Sequence, residues 1–395
     1  FFFFYLIGVG IFEEDFLDYL RDFRFSGDIY AIPEGTVVFP REPLVKVIAP
    51  IMQAQLVETA LLNIINHQSL IATKTERIVY AAKGDGVMEF GLRRAQGPDA
   101  GTYGARAAMI AGCIGTSNVL CGKMFDVPVK GTHAHSWIMS FPDELTAFRT
   151  YAKLYPTACI LLVDTYDTLG SGIPNAIQVF KEMREAGIPL TFYGIRLDSG
   201  DLAYLSKKAK KMLNEAGFPD AVISASNDLD ENLINSLKMQ GATINSWGVG
   251  TNLITAKDCP SFGGVYKLAA VMDKATGQFV PKIKLSENAE KITNPGNKTI
   301  QRIYDKATGK IIADLICLVG EEFDTRNSLL LFDPLETWKK TMLAPDSYTM
   351  RELMIPIFLD GRCVYQSPKV MDIQAYSKKE LDRSEKKKKE KKKKK

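Results

Sequence analysis

The 395-residue sequence contains only three histidines and six cysteines, and the cysteines form no CxxC pair. This scarcity excludes a zinc knuckle and a disulfide framework, and it favours a cytoplasmic protein in a reducing environment. No apolar run approaches the roughly 20 residues that cross a bilayer, so we expect no membrane segment. The opening run FFFFYLIGVGIF lacks the basic residues of a signal peptide. Neither GxxxxGK[ST] nor GxGxxG occurs, which excludes a P-loop ATPase and a dinucleotide-binding Rossmann domain.

The formal net charge of +4 comes from the C-terminal end of the chain. Residues 378–395 contain 12 Lys or Arg and 4 Asp or Glu, which gives this segment +8 and leaves 4 − 8 = −4 for the other residues. Low-complexity lysine runs are usually disordered and solvated. We therefore predict a disordered tail over 378–395 and no nucleic-acid-binding surface on the body of the protein.

Short apolar runs separated by helical patterns fill the middle of the chain. Eight runs are candidate strands: VMEFGLR, TSNVL, VPVKGT, CILLVD, TFYGIRLD, AVISAS, SWGVGT and GGVYKLA. Strands that alternate with helices predict parallel βαβ units. Eight strands favour an irregular (β/α)8-type barrel, with a doubly wound open sheet as the alternative.

We divide the rest of the chain around this barrel. An N-terminal α+β domain is predicted over 1–85, with an acidic helix from Glu13 to Phe23 and a long helix from Gln53 to about Ala72. The barrel is assigned to 86–275. A C-terminal region over 276–377 is expected to pack back on the N-terminal domain.

Polar residues follow six of the candidate strands, and the carboxyl ends of barrel strands form the face where active sites lie. In IRLDSGDL, Arg196 and Asp198 share a face of extended backbone, and an arginine there suits a carboxylate or a phosphate. In WGVGT, Gly248, Gly250 and Thr251 could let backbone N–H groups approach a phosphate. Each pattern is also compatible with an ordinary capping residue or tight turn.

Two further strand ends bear on the chemistry. Asp164 ends the run CILLVD and could hold Mg²⁺ through water, although an aspartate at this position is equally often a capping residue. Two of the three histidines, His133 and His135, occur together in GTHAHSW. An HxH pair opens the metal site of many barrel hydrolases, but zinc needs three or four ligands and only His67 remains. We therefore predict nucleophilic or acid–base work for His135 and packing for His133.

Several of these motifs resemble the nicotinate phosphoribosyltransferase family. They occur in order between about Phe12 and Tyr376, and they include EFGLRRAQGPDAG, VKGTHAHSWIMSF, LLVDTYDTL, IRLDSGDLAYLS, ASNDLDE, GVGTNLIT and GGVYKL. The resemblance implies a type II phosphoribosyltransferase fold and a homodimer. It also implies synthesis of nicotinate mononucleotide and pyrophosphate from nicotinate and phosphoribosyl pyrophosphate, with ATP hydrolysis and Mg²⁺, in NAD salvage.

The resemblance also assigns roles to residues. His135 corresponds to the histidine that the family phosphorylates, Thr132 and Arg196 to nicotinate contacts, and Thr251 to a contact with the phosphoribosyl phosphate. Four more residues are assigned to the neighbourhood of the phosphates or the ribose: Arg93, Asp198, Gly248 and Gly250.

The sequence departs from the family pattern at both ends. A T-D-x-Y-x-L-T-M segment that normally precedes the match has no counterpart, and the lysine run replaces the family's last helices. An incomplete N-terminal domain and a truncated, inactive subunit are therefore expected alternatives. A nicotinamide or quinolinate phosphoribosyltransferase is the alternative within the class, and a metal-dependent barrel hydrolase is the alternative outside it.

Overall fold

The computed structural model describes residues 2–285, 294–333 and 336–384. The chain forms two compact units. The first unit combines Phe1–Leu62, Val265–Ser367 and Lys379–Lys395, and the second combines Asn63–Gly264 and Pro368–Lys378. Within the described part of the chain, no helix has the length and apolar character needed to cross a bilayer.

The N-terminal part of the first unit contains short helices and a β-hairpin. Its elements are α1 (Phe2–Val9), α2 (Glu14–Arg21), β1 (Asp28–Ala31), β2 (Val45–Ile48) and α3 (Ile51–Leu56). The acidic residues Glu14 and Asp15 lie in the first turn of α2, where they complement the helix dipole. The acidic helix predicted from Glu13 is therefore present, but it ends at Arg21.

The long helix predicted from Gln53 is present as α3 and α4, which only Val57 separates, and it extends further toward the C-terminus than predicted. Helix α4 spans Glu58–Ala82 rather than ending near Ala72. In the second half of α4, Lys74, Ile78 and Ala82 are buried and lie four residues apart, on one face of the helix. The helix therefore continues through the polar run TKTER. These later turns supply core residues to the second unit, which is why that unit begins at Asn63 and not at residue 86.

Six parallel strands form the sheet of the second unit. They are β3 (Gly86–Glu89), β4 (Gly115–Thr116), β5 (Cys159–Leu162), β6 (Tyr193–Leu197), β7 (Val222–Ala225) and β8 (Ser246–Val249), in the order β4-β3-β8-β7-β6-β5. The helices between and after them are α5 (Pro98–Ile110), α6 (Val119–Phe125), α7 (His135–Met139), α8 (Glu144–Leu154), α9 (Ile173–Glu185), α10 (Leu202–Glu215), α11 (Glu231–Met239) and α12 (Thr251–Ile254). All four residues of β5 and of β8 are buried, as expected when helices cover both faces of a parallel sheet.

The predicted irregular α/β barrel is present with six strands instead of eight. The run TSNVL leaves the sheet after Thr116, because the Asn118 side chain caps α6 by accepting a hydrogen bond from the Cys121 N–H. The run VPVKGT contributes a single bridge between Val129 and Thr116, and GGVYKLA forms no strand. The sheet is therefore an open, half-barrel version of the predicted one.

The remaining elements belong largely to the first unit. The strands are β9 (Ala270–Met272), β10 (Phe279–Pro281), β11 (Lys298–Asp305), β12 (Ile311–Leu318), β13 (Leu329–Phe332), β14 (Lys340–Leu343), β15 (Tyr348–Glu352), β16 (Ile355–Leu359) and β17 (Arg362–Cys363). They pair antiparallel as β10-β9, β12-β11-β15 and β13-β14, while β17 and β16 join β1 and β2. The C-terminal region and the N-terminal hairpin thus share one sheet.

The last helix, α13 (Val370–Ser384), corrects the start of the predicted disordered tail. Residues 378–384 are helical because Glu380, although charged, is fully buried among arginines: Arg302 and Arg351 donate to its Oε2 and Arg383 donates to its Oε1. The rest of the predicted tail, residues 385–395, lies outside the described residues.

Candidate active site

A cavity of about 470 Å³ opens at the carboxyl ends of the parallel strands in the second unit. Eight of the nine residues predicted for the site line it: Arg93, Thr132, His135, Arg196, Asp198, Gly248, Gly250 and Thr251. The ninth, Asp164, is buried below the cavity wall and contacts two of its residues. Residues up to 158 positions apart in the chain are therefore brought into one site because their strands are parallel.

His135 begins helix α7, and its ring lies between a hydroxyl and two carboxylates. Nδ1 is 3.1 Å from Thr165 Oγ1, while Nε2 is 3.5 Å from Asp198 Oδ2 and 3.9 Å from Asp164 Oδ1. The side chain remains 37% exposed. The imidazole is therefore held in orientation and is accessible from the cavity.

The two carboxylates differ in their surroundings. Asp164 Oδ2 accepts hydrogen bonds from the Asp198 N–H at 2.8 Å and from Ser199 Oγ at 2.7 Å. Asp164 Oδ1 is buried and has no hydrogen-bond partner among the described residues. Asp198 accepts a short hydrogen bond from Ser226 Oγ on Oδ1, which leaves Oδ2 toward His135. Negative charge is thus concentrated on one side of the imidazole.

His133 lies in a different environment, although one residue separates it from His135. Its Nε2 accepts a hydrogen bond from the Leu162 N–H at 3.3 Å, and its ring contacts Trp137 and Tyr151. Burial, and then the nearby Arg196 charge, lower the pKa of His133 to about 4, so the ring is neutral at physiological pH. In the described ranges no three His, Cys, Asp or Glu side chains are grouped as metal ligands. The two histidines thus differ in their neighbours and in their exposure.

Arg196 enters the cavity from the end of β6 with much of its hydrogen-bonding capacity unused. Nη2 donates to the His133 carbonyl at 3.2 Å, whereas the buried Nε–H has no partner among the described residues. Burial lowers the pKa of Arg196 below its usual value, and the charges of Asp198 and Asp164 oppose this shift. A buried guanidinium with a free donor is a site for an anion.

The glycines after β8 keep the cavity open. A Cβ atom on Gly248 would lie 2.8 Å from the Phe90 ring, and one on Gly250 would lie 3.2 Å from the Phe90 carbonyl oxygen. Both distances are shorter than ordinary contacts, so a side chain at either position would displace Phe90, which also lines the cavity. Thr251 follows at the start of α12 and also lines the cavity.

A strained turn follows β7, next to the glycines after β8. Asn227 and Asp228 line the cavity with φ values of 93° and 36°, in the left-handed region. Asn252 holds this turn, because its amide donates to the carbonyls of Asp228 and Leu229 at 2.7 and 3.2 Å. Strained non-glycine residues cluster at functional sites, so the turn within the family motif ASNDLDE adds Asn227 and Asp228 to the candidate site.

Glu89 was also missed, and it lies beneath the cavity with no exposed surface. Its carboxylate accepts a short hydrogen bond from the Gly91 N–H and another from Thr116 Oγ1 at 2.6 Å. These contacts fix the 3₁₀ turn Leu92–Arg94, which presents Arg93 and Arg94 to the cavity. Burial raises the pKa of Glu89 above 4.5, and the hydrogen bonds oppose this shift. The sequence signal for Glu89 is an acidic residue within the otherwise apolar strand run VMEF.

Known proteins with similar sequences and structures identify the family of this chain. Residues 86–306 match the nicotinate phosphoribosyltransferase (NAPRTase) family, 4–66 match the NAPRTase N-terminal domain, and 297–393 match the C-terminal domain. The chain is 49% identical to the nicotinate phosphoribosyltransferase of Bacillus subtilis over 365 residues, which covers 92% of this chain and 73% of that protein. It is 36% identical to the Dictyostelium discoideum nicotinate phosphoribosyltransferase over 426 residues, with coverage of 94% and 70%.

Solved structures show the same relationship. The crystal structure of human nicotinic acid phosphoribosyltransferase superposes with a TM-score of 0.78 at 28% identity and covers 95% of this chain and 80% of that one. The nicotinate-nucleotide pyrophosphorylase of Pyrococcus furiosus, at 22% identity and a TM-score of 0.70, covers 91% and 81% and shares the fold. From its sequence, its fold and the residues gathered in its cavity, the chain belongs to the nicotinate phosphoribosyltransferase family.

Proposed function

We propose that this chain transfers the phosphoribosyl group of phosphoribosyl pyrophosphate to the ring nitrogen of nicotinate, giving nicotinate mononucleotide and pyrophosphate for NAD salvage. The observation that carries the proposal is Arg196, whose buried Nε–H lacks a partner among the described residues and whose guanidinium lines the cavity. An arginine fork matches a planar carboxylate, and nicotinate carries one.

In this proposal the aromatic acid lies near Arg196 and Thr132, and the sugar phosphate lies across the cavity. Thr251, Gly248 and Gly250 form that wall and allow a phosphate to approach the backbone closely. Arg93 adds positive charge near the same wall. Each substrate thus has a cationic partner, and the ring nitrogen can face the anomeric carbon between them.

The reaction needs orientation and charge stabilisation more than a general base. The lone pair of the nicotinate nitrogen forms the new bond to the anomeric carbon, and the C–O bond to pyrophosphate breaks with its electrons leaving on oxygen. Positive charge develops on the ribose during this exchange. Asp198, whose Oδ2 faces the cavity side of His135, is the carboxylate proposed to stabilise that charge.

Mg²⁺ is proposed to enter with the phosphate groups. The protein fits this ion only in part, because Asp164 Oδ1 is a single buried oxygen without a hydrogen bond, so phosphate oxygens and water would complete its coordination. When bound, Mg²⁺ would neutralise phosphate charge on the leaving group. Asp164 itself holds the Asp198 N–H and Ser199 Oγ in place.

ATP is proposed as a co-substrate that phosphorylates His135. A neutral imidazole nitrogen is a good nucleophile, and this ring is oriented by Thr165 and accessible from the cavity. Because the chain has no P-loop, ATP would occupy the same rim as phosphoribosyl pyrophosphate. Phosphorylation and substrate binding would then be linked.

We also propose that the protein is a cytoplasmic homodimer. All six cysteines are free thiols, which supports a reducing compartment.

The test is product analysis by chromatography and mass spectrometry with phosphoribosyl pyrophosphate, Mg²⁺ and one of three acceptors, with and without ATP. Nicotinate mononucleotide, stimulated by ATP, is the expected product. Product from nicotinamide or quinolinate alone would replace the proposal with the alternative within the class. No product from any acceptor, from a folded chain that binds nicotinate, would identify an inactive subunit.

A further inference from the structure

Strand β5 lies at one end of the six-stranded sheet and has an open edge. The N–H groups of Cys159 and Val163 donate toward β6, to the carbonyls of Phe192 and Arg196. Successive N–H groups of a strand point to opposite sides, so the N–H of Leu162 faces the open edge. A buried N–H without a hydrogen-bond partner destabilises the folded protein.

The partner of this N–H is a side chain from the other end of the sheet. Val129 bridges Thr116 of β4, the strand at the opposite edge, and the chain then continues through 130–132 to His133. His133 Nε2 accepts the hydrogen bond from Leu162 N–H. The imidazole of His133 therefore links β4 and β5, the two end strands of the sheet, across the gap that a closed barrel would fill with further strands.

The ring of His133 is held firmly in this position. It packs against Tyr151, Trp137 and Phe148, with ring centroids 4.5, 5.2 and 6.2 Å away, and the residue is only 8% exposed. Arg196 and His135 are the charged or titratable neighbours that disfavour its protonation. The ring thus stays neutral, with a lone pair on Nε2 for Leu162.

The backbone of the same residue contacts the cavity. The His133 carbonyl accepts a hydrogen bond from Arg196 Nη2, and the next residue, Ala134, is the N-cap of the helix that begins with His135. A shift of His133 would therefore move the Arg196 guanidinium and the His135 ring together. We propose that His133 is a positioning residue: its Nε2 fastens the 131–135 segment to the edge of β5 and so sets the place of Arg196.

The activity arm of the test, which rests on the proposed function, compares two substitutions. His133→Leu removes the acceptor but keeps an apolar side chain, whereas His133→Gln keeps an amide oxygen near the position of Nε2. We expect His133→Leu to raise the KM for nicotinate about tenfold, because a displaced Arg196 guanidinium would no longer align its hydrogen bonds with the carboxylate. The KM for phosphoribosyl pyrophosphate should change less than twofold, and His133→Gln should restore most of the nicotinate affinity.

His67→Leu is the matched control, because His67 is the remaining histidine and its buried Nε2 has no hydrogen-bond partner among the described residues. Both KM values should stay unchanged in that variant. Equal KM values for nicotinate in folded wild type and His133→Leu, or equal defects in the Leu and Gln variants, would overturn the proposal. Should His133→Leu not fold, His133→Asn, whose amide is too short to reach Leu162, takes its place in the same comparison.

The structural arm does not depend on activity. Hydrogen–deuterium exchange of the peptide over residues 159–163 should be faster in His133→Leu than in wild type and near wild type in His133→Gln. Unchanged exchange in His133→Leu would overturn the proposal that His133 fastens the 131–135 segment to β5, even if the enzyme is active. If the wild type shows the expected exchange pattern but no turnover of nicotinate, that result would overturn the proposed function and would leave the positioning role of His133 supported.

Discussion

The backbone N–H of Asp198 donates to Asp164 Oδ2 at 2.8 Å, and this bond fixes two carboxylates from adjacent strands on one side of His135. The ring can neither turn freely nor lose its neighbouring negative charge. On the other side, Thr165 Oγ1 contacts Nδ1. His135 is thus an oriented side chain that remains exposed to the cavity.

His135→Ala should abolish acid-labile phosphate incorporation from γ-labelled ATP and remove the stimulation by ATP. A slow synthesis without ATP should survive, because the nicotinate nitrogen attacks without help from this ring. His133→Gln should still be labelled. Labelling that persists in His135→Ala and disappears in the His133 variant would show that the other histidine is the acceptor.

Arg196→Ala should weaken nicotinate binding by about 2 kcal/mol or more, because it removes the partner of a desolvated carboxylate. Arg196→Lys should recover part of this loss, since an ammonium cannot form the paired hydrogen bonds of a guanidinium. Steady-state KM values for nicotinate measure both effects. Arg149→Ala is the control, because Arg149 forms its ion pair with Glu182 on the protein surface. An unchanged KM in folded Arg196→Ala would refute the assignment.

Gly248→Ala should push the Phe90 ring into the cavity, since the new Cβ would lie 2.8 Å from it. Overpacking of this kind costs about 1–3 kcal/mol, so we expect the KM for phosphoribosyl pyrophosphate to rise about tenfold or more. Gly263→Ala is the matched control, because a Cβ there meets no atom within 4 Å. Equal KM values in the two variants would show that Gly248 does not shape the phosphate wall.

Glu89→Gln should change how stability depends on pH. The pKa of Glu89 is raised in the folded protein, so the folded state binds the proton more tightly than the unfolded state does. The free energy of unfolding should therefore fall as pH rises above about 4.5. The glutamine variant lacks this ionisation and should lose less stability between pH 5 and pH 7.5 in denaturant titrations. Parallel losses in both proteins would mean that Glu89 is not the titrating group.

The rim of the cavity was predictable from the sequence because parallel strands place their carboxyl ends together. The positions of Arg196, Asp198 and Thr251 after apolar runs predicted that they lie at this rim, and the family resemblance added their roles. The environment of these residues was not predictable in the same way. Glu89 depends on Thr116, 27 positions away, and Asn252 on a turn 24 positions away, and no local pattern reports such partners.

Local patterns also misplaced two elements. TSNVL has the composition of a strand, but the Asn118 side chain starts a helix within it. The charged run from Lys378 has the composition of a solvated tail, but the carboxylate of Glu380 accepts a hydrogen bond from Arg302, which is 78 positions earlier in the chain. In both cases a specific hydrogen bond outweighed average composition.

Glu380 has a consequence for how this protein can be altered. One carboxylate serves three arginines, and Arg302 also donates to Asp314 and to the Val37 carbonyl. Removing one partner of a buried ion pair strands the others and costs about 3–5 kcal/mol. A chimera that takes helix 370–384 from a relative will therefore fold only if Arg302, Arg351 and Asp314 come from the same relative. These segments must be exchanged together.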